Sequence, residues 1–62
     1  MTEFNEERFR RLRHDLSNPL SAILAETQLM LLREDTLDAE TVGSLKEIEA
    51  LSRRMREMLQ RP

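Results

Sequence analysis

The sequence predicts an all-α fold, an antiparallel helical hairpin that dimerises into a four-helix bundle. Three observations predict it: a composition that favours helix, one polar gap that divides the chain, and apolar residues spaced by three and four. Of the 62 residues only one is Gly and two are Pro, while Leu, Arg, Glu and Met are abundant. Neither half of the chain shows the alternation of a β-strand.

The polar gap separates two helices of similar length. We predict helix 1 over about residues 5–32, a turn over about 33–38 and helix 2 over about 39–60. A chain this short holds one core at most, so residues 1–62 are expected to form a single domain.

Side chains at the helix ends support these bounds. Asn5 or Thr2 is expected to cap the first helix and Asp38 the second, because their oxygens accept hydrogen bonds from unpaired N–H groups. Near the end of helix 2, three arginines are expected to form a solvated face that interacts favourably with the helix dipole, namely Arg53, Arg54 and Arg56.

The apolar spacing predicts how the helices pack. One side of helix 1 collects Phe9, Leu12, Leu16, Leu20, Ile23, Thr27 and Met30, with Leu24 and Leu31 at its margin. One side of helix 2 collects Leu37, Thr41, Leu45, Ile48, Leu51, Met55 and Leu59, with Val42 and Met58 at its edges. Two helices alone would leave much of each stripe in water, so we predict a symmetric dimer of hairpins.

Composition and charge exclude several classes of function. The net charge of −2 and an aromatic content of 3% argue against a nucleic-acid surface. Cysteine is absent, and the longest apolar run has four residues, so we expect no disulfide, no membrane contact and a cytoplasmic location.

An unusual group of residues surrounds the single histidine. His14 lies about 160° around the helix from Leu16, so it is expected to point away from the core. Asp15 is its neighbour, and Asn18 follows one turn later, only about 40° further round. Pro19 removes the backbone hydrogen bond to the Asp15 carbonyl and is expected to kink the helix.

Simpler interpretations of this group compete with a functional one. A lone histidine on a helix is most often only solvated, and a helical proline is often a tolerated kink. We predict no metal site, because the chain has no second His and no Cys to complete one. A Ser-His-Asp triad is not supported either, since no pocket or oxyanion donor accompanies Asp15 and Ser17.

The stretch His14-Asp15-Leu16-Ser17-Asn18-Pro19-Leu20-Ser21-Ala22-Ile23 resembles the phospho-acceptor motif of bacterial sensor histidine kinases. The resemblance extends along the whole chain to their dimerisation and histidine-phosphotransfer domain. Asp15 stands where many members have Glu, Ser17 where Arg or Lys is frequent, and Asn18 where Thr is frequent. His-acidic-x-x-Asn-Pro is itself a recognised variant of the motif.

The resemblance implies a role for each residue. His14 would accept the γ-phosphoryl group of ATP, and Asp15 would act as general base and orient the imidazole. Asn18 would position water when phosphate is removed from the partner protein. Pro19 would permit bending near the phosphorylated residue.

The resemblance also implies partners. The chain has no glycine-rich nucleotide pocket, so ATP and Mg would come through a separate catalytic domain, and no cofactor is predicted within this chain. The chain is expected to be a homodimeric fragment of a larger kinase, whose parent protein can be membrane-anchored. The onward acceptor would be the receiver domain of a response regulator.

The outward side of helix 1 is the expected surface for that receiver. It collects Arg10, Ser17, Ser21, Ala25, Gln28, Leu29 and Leu32. The alternative for Leu29 and Leu32 is a broad dimer interface, which we favour on spacing alone.

Two other functions remain open at this point. One is a purely structural dimeric helical signalling linker, in which His14 is incidental. The other is a stand-alone histidine phosphotransfer protein that relays phosphate between receivers and never meets ATP.

Overall fold

The fold is a two-helix hairpin. The computed structural model describes residues 5–61, with α1 at Glu6–Leu31, a short 3₁₀ helix at Glu34–Thr36 and α2 at Ala39–Gln60. No strand occurs among the described residues. The hairpin is a rod of 53 × 16 × 16 Å. The predicted all-α hairpin is confirmed, while its dimerisation stays a prediction.

Both helices begin at side-chain caps. The Asn5 side chain accepts a hydrogen bond of 3.0 Å from the backbone N–H of Arg8. The Asp38 carboxylate accepts one of 2.6 Å from the N–H of Thr41. Hydrogen bonding from the Thr41 side chain, and then from this N–H, lowers the pKa of Asp38 below its ordinary value of 3.8. Thr2, the other predicted cap of the first helix, lies outside the described residues.

The chain reverses within the polar gap. The N–H of Leu32 donates to the carbonyl of Gln28, which closes the last turn of α1. The Thr36 hydroxyl donates to the carbonyl of Arg33 at 2.7 Å and fixes the 3₁₀ turn that follows. This tight reversal places α2 antiparallel to α1.

The two helices meet along a seam of buried side chains. Its apolar members are Leu20, Leu24 and Leu45, which are 6%, 5% and 8% exposed. Thr27 and Ser52 are buried beside them, and the Thr27 hydroxyl is satisfied by donating to the carbonyl of Ile23 at 2.7 Å. The seam therefore runs through Leu24, which the sequence placed only at the margin of its stripe.

Most of the predicted apolar stripe lies outside the seam. The large apolar side chains that remain exposed in the hairpin are Phe9, Leu12, Leu16, Ile23, Leu29, Met30, Leu32, Ile48, Leu51, Met55 and Met58. A single hairpin buries Leu20, Thr27 and Leu45 of the predicted stripes and leaves most other members exposed, as expected for two helices alone. The exposed members form an apolar face that a single chain leaves in water.

Two local expectations need comment. Helix α1 continues through Pro19, because a proline removes only one hydrogen bond and its fixed φ suits a helix; its kink stays a prediction. The expected dipole contact of the α2 arginines is wrong, because the last turn of α2 contains no basic residue. Dipole effects fade within one turn. Arg53 instead donates to Glu49 at 3.3 Å, and Arg56 is half-buried.

Candidate functional site

The site is built on the first half of α1. His14 lies about two turns after the Asn5 cap, and its side chain is 77% exposed. Because α1 is anchored at its start by that cap, the imidazole is held on a regular helix and still faces solvent. A large molecule can therefore reach it without any rearrangement of the hairpin.

Asp15 is the side chain nearest the imidazole in the direction of the Nδ1 atom. Its Oδ1 lies 3.8 Å from His14 Nδ1, and the Asp15 side chain is 67% exposed. This separation is an ion-pair distance and is longer than a hydrogen bond. The other ring nitrogen, Nε2, lies on the opposite side of the ring from this contact.

The polar residues of the turn that follows His14 differ in burial and in hydrogen bonding. Ser17 is half-buried, and its hydroxyl donates to the carbonyl of Arg13 at 2.8 Å, so it is engaged with the backbone. Asn18 and Pro19 are exposed. Among residues 5–61, no hydrogen bond joins the Asn18 amide to His14. The structure thus brings Asp15 to His14 and leaves Asn18 nearby without contact.

The turn that precedes His14 forms a shallow concavity with it. The lining residues are Glu7, Arg10, Arg11 and His14. The sequence had placed only Arg10 on this side, as part of a partner surface. Spacings of three, four and seven residues from His14 were the available signal, since such positions share one helix face.

Arg13 is turned away from this concavity. Its guanidinium lies 5.3 Å from the centroid of the Phe9 ring, and Nη1 donates to the carbonyl of Arg61 at 3.1 Å. The latter contact joins the first half of α1 to the end of α2.

The predicted partner surface is narrower than expected. Ser17 and Gln28 are half-buried, and the Gln28 amide donates to Glu49 across the seam at 3.2 Å. Both were predicted to face outward, and both belong to the edge of the seam because they lie one turn apart from buried leucines. Leu29 and Leu32 remain exposed, at 56% and 79%.

Charge is divided unevenly along the rod. The end that carries His14, residues 5–20 and 50–61, has eight basic and four acidic side chains. The end that carries the turn, residues 21–49, has two basic and seven acidic ones. The exposed histidine therefore lies in the positive half of a chain whose net charge is −2.

The described residues also bear on metal binding and on membrane crossing. Residues 5–61 contain no group of three or more His, Cys, Asp or Glu side chains arranged to hold a metal ion. Within the same range, neither helix combines the length and the hydropathy that crossing a membrane requires.

Comparison with known proteins identifies the domain. A family model described as the His Kinase A (phospho-acceptor) domain matches residues 5–61. No curated protein and no solved structure matches the chain. Since the matched range covers nearly the whole sequence, including the exposed histidine and both helices, the chain belongs to the His Kinase A (phospho-acceptor) domain family.

Proposed function

We propose that this chain is the dimerisation and phospho-acceptor domain of a two-component sensor histidine kinase, with His14 as the residue that carries phosphate. One observation carries the proposal: the only histidine of a chain from this family is exposed and has a carboxylate beside Nδ1. That arrangement supports Nε2 as the nucleophile, because Asp15 lies beside the other ring nitrogen and can accept its proton.

The proposed step is a direct displacement. The Nε2 lone pair attacks the γ-phosphorus of ATP, and a nitrogen–phosphorus bond forms. The bond from that phosphorus to the bridging oxygen breaks, and its electron pair leaves with ADP. Asp15 takes the proton from Nδ1, which removes the positive charge that develops on the ring. Small side-chain rotations would bring the 3.8 Å separation to hydrogen-bond length.

The delivery of ATP belongs to another domain. ATP and Mg would be held by a separate catalytic domain of the same kinase, and the metal would neutralise charge on the phosphates. The exposure of His14 supports this division of labour, because nothing in the hairpin covers the approach to Nε2.

The next acceptor would be an aspartate of a response regulator. Its receiver domain would approach the exposed side of α1, where Leu29 and Leu32 present apolar surface. In the reverse function, the Asn18 amide would position water, since an amide can donate and accept hydrogen bonds but cannot act as a base.

Dimerisation would cover the apolar face left exposed by one hairpin. An open groove in that face is lined by Ile23, Met30 and Ile48, together with Ala22, Glu26, Thr27 and Leu45. Each fully buried leucine or isoleucine is worth roughly 1.5–3 kcal/mol. A second hairpin would supply such burial and complete a four-helix bundle.

A structural signalling linker remains the second candidate. The same exposed apolar face would serve it equally well, because a linker also needs a dimer. A linker has no use for an exposed imidazole paired with a carboxylate, and this pairing favours the phospho-acceptor role. A stand-alone phosphotransfer protein differs only in its donor.

The decisive experiment is phosphorylation by a matching kinase catalytic domain with ATP. We expect acid-labile phosphate on the wild-type chain and none on His14→Gln, while Ser21→Ala, an exposed hydroxyl on the same helix, labels normally. Equal labelling of His14→Gln would contradict the assignment. If phosphate came only from a phosphorylated receiver, the chain would be a phosphotransfer protein.

The role of Asn18 has its own test. In Asn18→Ala, phosphorylation of His14 should largely survive, while dephosphorylation of the cognate regulator should fall. A parallel loss of both activities would show that Asn18 acts through the fold or through His14 instead.

A further inference from the structure

On α1, the basic side chains near His14 all precede it in the sequence. No Lys or Arg occurs between Arg13 and Arg33, so the four turns that follow His14 carry no basic side chain. The turns before it carry four arginines, Arg8, Arg10, Arg11 and Arg13. On α1, any anion bound to the imidazole therefore has its cationic neighbours only in the preceding turns.

Two of these arginines are placed to reach such an anion. Arg10 and Arg11 precede His14 by four and three residues, which are the positions that neighbour it on a helix surface. Both line the concavity that ends at the imidazole. Arg8 lies about 120° around the helix from His14, and Arg13 is held by Phe9 and the Arg61 carbonyl.

Arg10 and Arg11 are also available for a ligand. Both are exposed, and within residues 5–61 neither makes a salt bridge or a side-chain hydrogen bond. Glu7 lies at the far rim of the concavity and offsets part of their charge. Two arginines and one glutamate leave the concavity with a net positive charge, which an anion on His14 would neutralise.

We propose that Arg10 and Arg11 form an anion clamp that holds the phosphoryl group on His14 Nε2. The clamp rests on the proposed function of His14. A phosphoryl group on a side chain carries nearly two negative charges at neutral pH, and guanidinium groups bind phosphate oxygens in pairs of hydrogen bonds. Both arginines are positioning residues: they orient the phosphoryl group and stabilise its dianion.

The clamp predicts an effect that a change in helix stability would not produce. Two guanidinium groups favour the dianion, so they lower the pKa of the second ionisation of the phosphoryl group. Their removal should raise that midpoint by roughly 0.3–1.5 pH units, as expected for exposed ion pairs. Salt should reduce the difference, because the pairs are exposed to solvent.

The test uses the whole chain and phosphoramidate, a small donor that needs no catalytic domain. The ³¹P resonance of the phosphohistidine is titrated in wild type and in Arg10→Gln/Arg11→Gln. The matched control is Arg8→Gln/Arg33→Gln, which removes the same charge away from His14. We expect an upward shift in the first double variant, little shift in the control, and partial rescue in Arg10→Lys/Arg11→Lys.

The outcomes distinguish a failure of the clamp from a failure of the proposed function of His14. If wild type and His14→Gln give the same phosphorus spectrum, His14 accepts no phosphate, and both proposals fail. If His14 is phosphorylated but Arg10→Gln/Arg11→Gln shifts no more than the control, the clamp alone is wrong. Helicity measured by circular dichroism in each variant ensures that folded chains are compared.

Discussion

The two halves of the hairpin are held together by different kinds of contact. In the half that carries the turn, each helix contributes a buried leucine, Leu24 from α1 and Leu45 from α2. In the half that carries His14, the buried residues are Ser52 and Leu20, and Leu20 lies at the boundary with the turn half. The rest of the seam there is half-buried and is lined by Arg13, Ser17, Arg56 and Leu59. The turn half therefore has its own small core, whereas the His14 half depends on apolar side chains that face outward.

This difference places His14 on the less strongly held half. Local opening has a low cost where few apolar side chains are buried. In the proposed function His14 would meet two different proteins, and such freedom would help it do so. If a second hairpin covers the outward face, it should order the His14 half far more than the turn half.

The largest expected effect tests the core of the turn half. Leu24→Ala should lower the free energy of unfolding by about 2–5 kcal/mol, because a buried leucine is lost and a cavity remains. Urea denaturation followed by circular dichroism measures it. Leu32→Ala, at a position 79% exposed, should change it by less than about 0.5 kcal/mol.

Leu16→Ala extends this experiment to the other half. The Leu16 side chain is 44% exposed in one hairpin. The loss in free energy of unfolding should therefore be small if the hairpin stays alone, and similar to that of Leu24→Ala if a partner covers the side chain. The dependence on protein concentration distinguishes the two cases. A large, concentration-independent loss would contradict our description of the outward face.

A smaller effect is expected at the start of α1. Asn5→Ala removes the cap that accepts from the Arg8 N–H and should cost about 1 kcal/mol. Hydrogen exchange should rise at the first turns of α1 and stay unchanged near Leu24. A uniform increase along both helices would mean that the halves unfold as one unit. Asn5→Asp, which keeps the acceptor, is the control.

The turn half offers a change in the opposite direction. A Cβ atom added at Gly43 would meet nothing within 4 Å, and the residue lies inside α2. Gly43→Ala should therefore stabilise the hairpin by roughly 0.5–1 kcal/mol through helix propensity. A higher thermal midpoint would agree with this expectation. A lower one would indicate that another chain packs against this position.

The smallest expected effect depends on pH. The hydrogen bonds from Thr41 lower the pKa of Asp38, so the folded state favours the ionised carboxylate. This contribution is complete well above pH 3.8 and is lost as the pH falls through the lowered value in the folded state. Asp38→Asn should lose that dependence while keeping a cap. If Asp38→Asn loses stability in acid just as wild type does, the pH dependence comes from other carboxylates.

Much of this architecture could be predicted from short-range chemistry. Asn5 and Asp38 were expected as caps because their oxygens suit unpaired N–H groups, and both act so. The seam was harder to predict, since apolar periodicity ranks residues by hydropathy. Periodicity correctly included the buried residues Leu20, Thr27 and Leu45. It also favoured Leu16 and Ile23, which are exposed, while the hairpin buries Leu24 and Ser52 because these face the other helix.

Prediction of the site from the sequence was limited in the same way. The spacing placed Asp15 beside His14, and the structure agrees, although at ion-pair distance. The spacing of three residues between Arg11 and His14 could have indicated their shared concavity, whereas the sequence did not indicate that Ser17 turns toward the backbone. Such preferences depend on rotamers and on the position of the second helix, which no single-helix projection contains.

The uneven charge of the rod gives it a permanent electric dipole. Antiparallel helices cancel most of each other's backbone dipoles, so the remaining dipole comes from side chains. The rod is 53 Å long, and the screening length is about 8 Å in physiological salt and about 30 Å at 0.01 M. In physiological salt an anionic partner therefore senses one end only. In dilute buffer it exerts a torque that turns the His14 end toward it, so the orientation of the encounter is itself tuned by salt.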